Sequence, residues 1–308
     1  MQATSSASAR RLWRRLMAAI LPVLLLLAID GCAGPAPDAG EGVKTPGGTP
    51  EPLPQFAHVV VVVEENHSYD EIIGSADAPY LNALAARGAV FTDAHGVTHP
   101  SQPNYLALFA GSTFGLASDD CPQQLTGPTL ATALLADGLT FTAYSEDLPR
   151  AGYSGCQSGG DDFDPLYARK HAPWTNFAAL PASINQPFTS FPTDFSQLPA
   201  VAFVVPNQQD DMHSGSVAAG DSWLQEQLGS YAQWAPTHNS LLIVTWDEDD
   251  GSTANHILTL FVGAHVQPGR YGETINHYDV LRTIEAIFAL PYTNAAAQAT
   301  TIADVWQA

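Results

Sequence analysis

His58 to Tyr69 read HVVVVVEENHSY, and this stretch decides the fold. Its five consecutive valines, Val59 to Val63, are β-branched and show no polar alternation. That pattern predicts a strand buried on both faces, as in the centre of a parallel sheet. The run stops at Glu64, Glu65 and Asn66, three polar side chains at the strand's carboxyl end. Ligands of open α/β sheets bind at that edge, so segments that bring complementary chemistry to it carry the function.

Downstream, Pro79 to Arg87 reads as a short helix, with proline in its first turn and Gly88 just past its end. Ala89 to Thr92 follows as a strand, then the loop HGVTHPSQPN. The pattern turns helical from Asn104 to Phe109, placing Ser101 near a helix N-terminus. Leu139 to Tyr144 alternates like a strand and ends in Ser145, Glu146 and Asp147. Arg150 to Gln197 is irregular, rich in Pro, Gly and aromatic residues, and carries the basic pair Arg169 and Lys170. It reads as a lid or specificity insertion rather than a separate domain. Val201 to Val205 (VAFVV), Ser240 to Trp246 (SLLIVTW) and His256 to Val262 (HILTLFV) are strands. Ala219 to Trp234 is an amphipathic helix, and Tyr278 to Phe288 places Val280, Leu281, Ile284 and Ile287 at helical spacing. Strands separated by helices predict an α/β fold, a mostly parallel central sheet with helices on both faces.

The N-terminal region reads differently. Residues 1–32 join an arginine-rich start to an apolar run, Leu16 to Ile29, too short to span a membrane, and so predict a signal peptide. Ile29-Asp30-Gly31-Cys32 resembles a lipoprotein processing box with Cys32 acylated, although Asp30 departs from it. Residues 33–56 are a Pro- and Gly-rich tether, leaving residues 57–308 as the folded domain. Export places the chain outside the cytoplasm, where Cys121 and Cys156 pair as a disulfide.

The chain of 308 residues carries a formal charge of −20. Removing residues 1–31 takes away four arginines and Asp30, leaving 7 basic and 30 acidic residues, or −23. Such a surface repels nucleic acid and anionic membranes. It also repels phosphorylated compounds, so a phosphate site here needs a locally positive centre such as a metal ion.

Glu65, Asn66, Asp247 and Glu248 offer hard oxygen ligands at two strand ends and suit one divalent cation. Either acidic group alone could equally be a solvated loop or a helix cap. Ser101, in HPSQPN, is placed to act as a metal-assisted nucleophile, the alternative being a capping serine. Of the histidines, His213 in DDMHSG suits the proton donor to a leaving alkoxide. His256, His171 and His99 are further candidates. His95, His265 and His277 read as structural, with His277 able to orient others.

Six motifs, EENHSYDEIIG, HPSQPNYLALFAGST, AYSEDLP, YARKHAPWTNF, PNQQDDMHS and TWDEDDGSTANHI, stand in the order seen in the bacterial phosphoesterase family. That family holds acid phosphatases, phosphatidylinositol phosphatases and phospholipases C, and the resemblance covers roughly residues 57–292. It implies an alkaline-phosphatase-like fold with Ser101 as nucleophile and Glu65, Asn66, Ser101, Asp247 and Glu248 around the metal. By the same resemblance His213 assists the leaving group, and Asn66, Asn104, His171, His256 and His99 bind substrate. The chain lacks the C-terminal β domains of the phospholipases, and its DEDDGS run lacks their glycine-rich continuation. The expected activity is therefore an exported phosphomonoesterase that forms a phosphoserine and acts on phosphoinositides or other monoesters. It would use one divalent ion (calcium, magnesium, manganese or zinc), work as a monomer, bind no nucleic acid, and meet the membrane only through a lipid anchor. The alternatives are a phospholipase C-type phosphodiesterase and a non-catalytic ligand-binding lipoprotein.

Overall fold

The valine run forms β1, His58–Glu64, with Val59 to Val63 fully buried. The other strands are β2 (Ala89–His95), β3 (Phe141–Ser145), β4 (Gln157–Ser158), β5 (Tyr167–Ala168), β6 (Asn185–Pro187), β7 (Val201–Val205), β8 (Ser240–Trp246), β9 (His256–Gly263) and β10 (Gly269–Asn276). Eight of them make one sheet in the order β10-β2-β9-β8-β1-β7-β3-β6. β1 lies between two parallel neighbours, Val61 opposite Phe203 on one side and Ile243 on the other. Its lack of alternation follows from that central position. Only β9 runs against its neighbours β2 and β8, so the sheet is mixed but mostly parallel. The computed structural model describes residues 53–307 apart from 162 and 163. The expected signal peptide, Cys32 and nearly all of the tether lie outside the described residues.

Among the described residues six α-helices accompany the sheet: α1 (Tyr69–Ile72), α2 (Pro79–Ala85), α3 (Ser101–Ala110), α4 (Leu130–Ala136), α5 (Val217–Trp234) and α6 (His277–Ile287). α3 packs with α4 and α6, whereas α2 packs with α5. The end of β1 separates the two groups. Glu64 feels Asp221 of α5, and Glu65 bonds to Tyr105 of α3, as expected for successive strand residues that face opposite ways. Every residue of α3 is buried. The helix stops at Gly111, whose φ of 66° suits a residue without Cβ. A Cβ there would sit 2.3 Å from the Thr293 carbonyl.

The structure extends the sequence reading in two places. β10 adds an edge strand that was not expected. The irregular segment of residues 150–197 supplies β6 to the sheet edge beside β3, with Ala143 opposite Asn185. Pro187 is tolerated there because an edge strand needs no further partner. The segment is tied down by the Cys121–Cys156 disulfide and by Arg169. That guanidinium donates to the carbonyls of Ser154 and Thr175 and to the side chains of Thr175 and Asn176.

Candidate active site

Three strand ends and one helix start meet at the carboxyl edge of the sheet. β1 delivers Glu65 and Asn66, β7 leads into Asp211 and His213, β8 delivers Asp247 and Glu248, and α3 begins at Ser101. The Ser101 hydroxyl points at two carboxylates, 3.2 Å from Glu65 Oε2 and 3.4 Å from Glu248 Oε1. Asn66 closes the group with a left-handed backbone, φ 54°, which turns its N–H toward Asp247 Oδ1 at 3.4 Å. A side chain that tolerates positive φ is thus needed just where the chain must bend back over the site.

These acids are buried together. Glu65 and Asp247 are almost wholly inaccessible. Burial pushes the Glu65 carboxyl up to about 8, against the pull of Lys170 and Tyr105. Burial first, then repulsion from Glu65 and Glu248, holds Asp247 well above the usual carboxylate range. Asp211 is raised in the same way by burial and by Glu65. Asn66 Oδ1 and Asp247 Oδ2 are buried without a hydrogen-bond partner among the described residues. Two carboxylates at the Ser101 hydroxyl, with the orphaned Asn66 and Asp247 oxygens close to them, make a donor set that fits a hard cation.

A second donor set overlaps the first: Glu65, His171 and His213 offer ligand atoms within 4.8 Å of one another. His171 is buried, its Nε2 3.0 Å from Glu65 Oε1 and its Nδ1 3.5 Å from Asp211 Oδ2. The Nε2 contact is an ion-pair distance without hydrogen-bond alignment. Burial drives its pKa well below the ordinary histidine value, helped by Lys170 and His213. A carboxylate thus lies near each ring nitrogen of His171, and Tyr105 stacks on its face at 5.0 Å.

His213 lies at the rim. Its Nε2 accepts from Lys170 Nζ at 3.1 Å, and its Nδ1 is 3.3 Å from Ser214 Oγ. Burial, then the ammonium of Lys170, pushes it down to about 4, so the free protein holds it neutral.

The other expected substrate residues have defined partners. Asn104 is fully occupied: its Oδ1 accepts from the N–H groups of Val97 and Thr98, and its Nδ2 donates to Thr98, Pro100 and Glu248. It clamps the loop that presents Ser101. His99 sets Glu248, with Nδ1 2.7 Å from Oε2. The ring of His256 stacks on Tyr69 at 4.9 Å, and its Nε2 donates to the Thr92 carbonyl. Pairing of β9 with β2 places it opposite His95. His277 donates to the carbonyl of Asp247 at 2.6 Å, an orienting contact.

Three contributors were not expected. Tyr105 donates to Glu65 Oε1 at 2.6 Å. Asp119 Oδ1 accepts from the Gln102 N–H at 2.8 Å, and Lys170 bonds to Asp119 Oδ2 at 3.2 Å. The basic pair in the insertion was the one sequence signal that pointed to Lys170.

A family model described as the phosphoesterase family matches residues 75–291. The chain is 49% identical over 299 residues to the phosphatidylinositol-3-phosphatase of Mycobacterium tuberculosis, covering 96% of this chain and 95% of that protein. It is 31% identical over 228 residues to the phosphate-repressible acid phosphatase of Penicillium chrysogenum, covering 68% of this chain but only 54% of that longer protein. Among solved structures, a Vibrio parahaemolyticus protein in the alkaline phosphatase superfamily superimposes with a TM-score of 0.55 at 15% identity, over 78% of this chain and 68% of the other. That last likeness concerns the fold alone.

Proposed function

Because this chain belongs to the phosphoesterase family and is a phosphoric monoester hydrolase, we propose that it acts outside the cytoplasm on phosphate monoesters, phosphatidylinositol 3-phosphate among them, by transferring the phosphoryl group to Ser101. The observation that carries this reading is the Ser101 hydroxyl held between Glu65 and Glu248 at the start of a buried helix. The near full-length similarity to a phosphatidylinositol-3-phosphatase supports the substrate class, and the Cys121–Cys156 disulfide suits an oxidising compartment.

Glu65, Asn66, Ser101, Asp247 and Glu248 would hold a divalent cation, which when bound would lower the pKa of the serine hydroxyl and neutralise a phosphate oxygen. The oxygen set is preferred to Glu65, His171 and His213, because the ammonium of Lys170, 3.1 Å from His213 Nε2, opposes a second cation there. The Ser101 proton has carboxylate acceptors at hydrogen-bond distance as Oγ attacks phosphorus. The new P–O bond makes phosphoserine, and the ester P–O bond breaks with its electron pair on the alcohol oxygen. The bound dianion raises the basicity of His213, which takes up a proton from water and passes it to that oxygen. Water then cleaves the phosphoserine by the same groups in reverse.

Ser101→Ala tests the reading. The variant should release no phosphate from p-nitrophenyl phosphate or from phosphatidylinositol 3-phosphate vesicles while keeping its metal content; retained turnover removes Ser101 from the mechanism. Release of choline phosphate from phosphatidylcholine at a comparable rate would favour the phosphodiesterase alternative. His213→Gln should slow alkyl phosphates far more than p-nitrophenyl phosphate, whose leaving group needs no proton.

A further inference from the structure

Lys170 is one of only two lysines in the chain, the other being Lys44 in the tether. Its side chain is 17% exposed, and it follows Arg169 in a short 3-10 turn that also carries His171. Arg169 turns into the insertion, where carbonyl and side-chain oxygens occupy it. Lys170 turns the other way, to Asp119 Oδ2 at 3.2 Å and His213 Nε2 at 3.1 Å. Among the described residues, it is the one lysine or arginine in an ion pair with a carboxylate.

The surroundings of this ammonium are otherwise acidic. Glu65, Asp119, Asp211, Asp247 and Glu248 all lie on this edge, and Lys170 is the ammonium set among them. An ammonium has three N–H donors. Two are engaged, by Asp119 and His213, and Lys170 lines a cleft of about 340 Å³ together with His213, Asp119, Gln208 and the Cys121–Cys156 disulfide. Asp119 is bound at its other oxygen by the N–H of Gln102, the residue after Ser101. One carboxylate therefore couples the first turn of the nucleophile helix to the cation.

We propose that Lys170 binds a non-bridging phosphoryl oxygen of the substrate and that Asp119 is its positioning residue. The inference rests on the phosphoryl-transfer reading above. Asp119 never touches phosphate; it fixes the ammonium at a set distance from Ser101.

The role of Asp119 separates two physical models. If the site were simply too negative, Asp119→Asn would remove a repelling charge and tighten phosphate binding. If Asp119 positions Lys170, the same change weakens it. The expected result is a rise of about fivefold or more in the inhibition constant of inorganic phosphate, roughly the loss of one modest hydrogen-bonded tie. Lys170→Met should raise that constant, and the KM for p-nitrophenyl phosphate, by roughly 10- to 100-fold, the scale of one charge-assisted hydrogen bond. It should also flatten the dependence of phosphate binding on salt, which a purely structural role would leave unchanged. Lys170→Arg, which keeps the charge, should recover part of the affinity.

The parent protein gives a readout that needs no folded variant. Saturating inorganic phosphate should protect Lys170 from acetic anhydride, followed by peptide mass spectrometry, while Lys44 labels equally with and without it. Equal labelling of Lys170 in both conditions, or Lys170→Met binding phosphate as tightly as the parent, overturns the proposal. Either result leaves the serine mechanism standing if Ser101→Ala is inactive, so the two ideas fail separately.

Discussion

Tyr105 donates a 2.6 Å hydrogen bond to Oε1 of Glu65, from a position one helical turn beyond Ser101. The i, i+4 spacing puts both side chains on the same face of α3, so the helix that presents the hydroxyl also sets the carboxylate it addresses. Burial, then the charge of Glu65, keeps the phenol protonated and therefore a permanent donor. Tyr105→Phe keeps the ring and its stacking on His171 but frees Glu65 Oε1. We expect kcat to fall about tenfold with KM little changed, the scale of one hydrogen bond to a charged group. Steady-state kinetics on p-nitrophenyl phosphate check it; an unchanged kcat would show that His171 alone suffices to hold Glu65.

Metal removal should cost both activity and stability. The carboxylates of Glu65, Asp247 and Glu248 are buried close to one another, so an ion that binds them only in the folded chain stabilises it by mass action. At a hundred times its dissociation constant the gain is about 2.7 kcal/mol, and for a domain of this size each kcal/mol moves the melting midpoint by roughly 2–4 °C. A chelator should therefore abolish turnover and lower the midpoint by about 5–10 °C. Asp247→Asn should lose the ion in elemental analysis, whereas a His256→Ala variant should retain it. A metal lost from His213→Ala but kept in Asp247→Asn would move the ion to the histidine-bearing set.

The legible part of this chain was the part where burial leaves a strong mark. Val201–Val205 and Ser240–Trp246 match their expected bounds because central strands of a parallel sheet are apolar throughout. Polar groups immediately after such strands must be placed by the fold, which is why Glu65, Asp247 and Glu248 stood out. Gly269–Asn276 was hidden because it is an edge strand with Arg270, Gly272 and Thr274 exposed and only Ile275 buried. Tyr105 is indistinguishable in sequence from any core aromatic of a buried helix. Asp119 lies in an ordinary polar loop, and its meaning comes from an insertion that folds back across the site. The hydrogen-bond partners of Asn104 and His256 were hidden for a different reason. A motif shows which residues are near the chemistry, whereas occupancy of their hydrogen-bonding atoms depends on loops and on the antiparallel pairing of β9.

The disulfide should matter to both fold and site. It closes a segment of 35 residues between Cys121 and Cys156, for which the chain-entropy model gives about 4 kcal/mol. Cys121 follows Asp119 by two residues, and the carbonyl of Cys156 accepts from the Arg169 N–H at 2.8 Å, beside Lys170. The double variant Cys121→Ser, Cys156→Ser should lose about 2–4 kcal/mol in urea unfolding. At temperatures where it stays folded it should show a raised KM. An unchanged KM with reduced stability would confine the bond to a structural role.

A final prediction concerns pH and lies far from the hydroxyl. Glu285 of α6 is fully buried, its Oε1 accepting from the N–H and hydroxyl of Thr293 at 3.0 and 2.6 Å. Its Oε2 has no partner among the described residues. Burial pushes its carboxyl up to about 7, although the Thr293 bonds and Arg282 pull the other way. The folded chain then holds a proton on Glu285 between the ordinary glutamate value, about 4.5, and about 7, where the unfolded chain has released it. More protons bound in the folded state mean that stability falls as pH rises through this window. Glu285→Gln imitates the neutral acid and removes the dependence. We expect little difference between the variant and its parent near pH 4.5, and a variant midpoint about 2–4 °C higher at pH 8, the equivalent of roughly 1 kcal/mol. Thermal unfolding followed across that range decides it, and parallel curves for the two proteins would mean that Glu285 is already ionised in the fold.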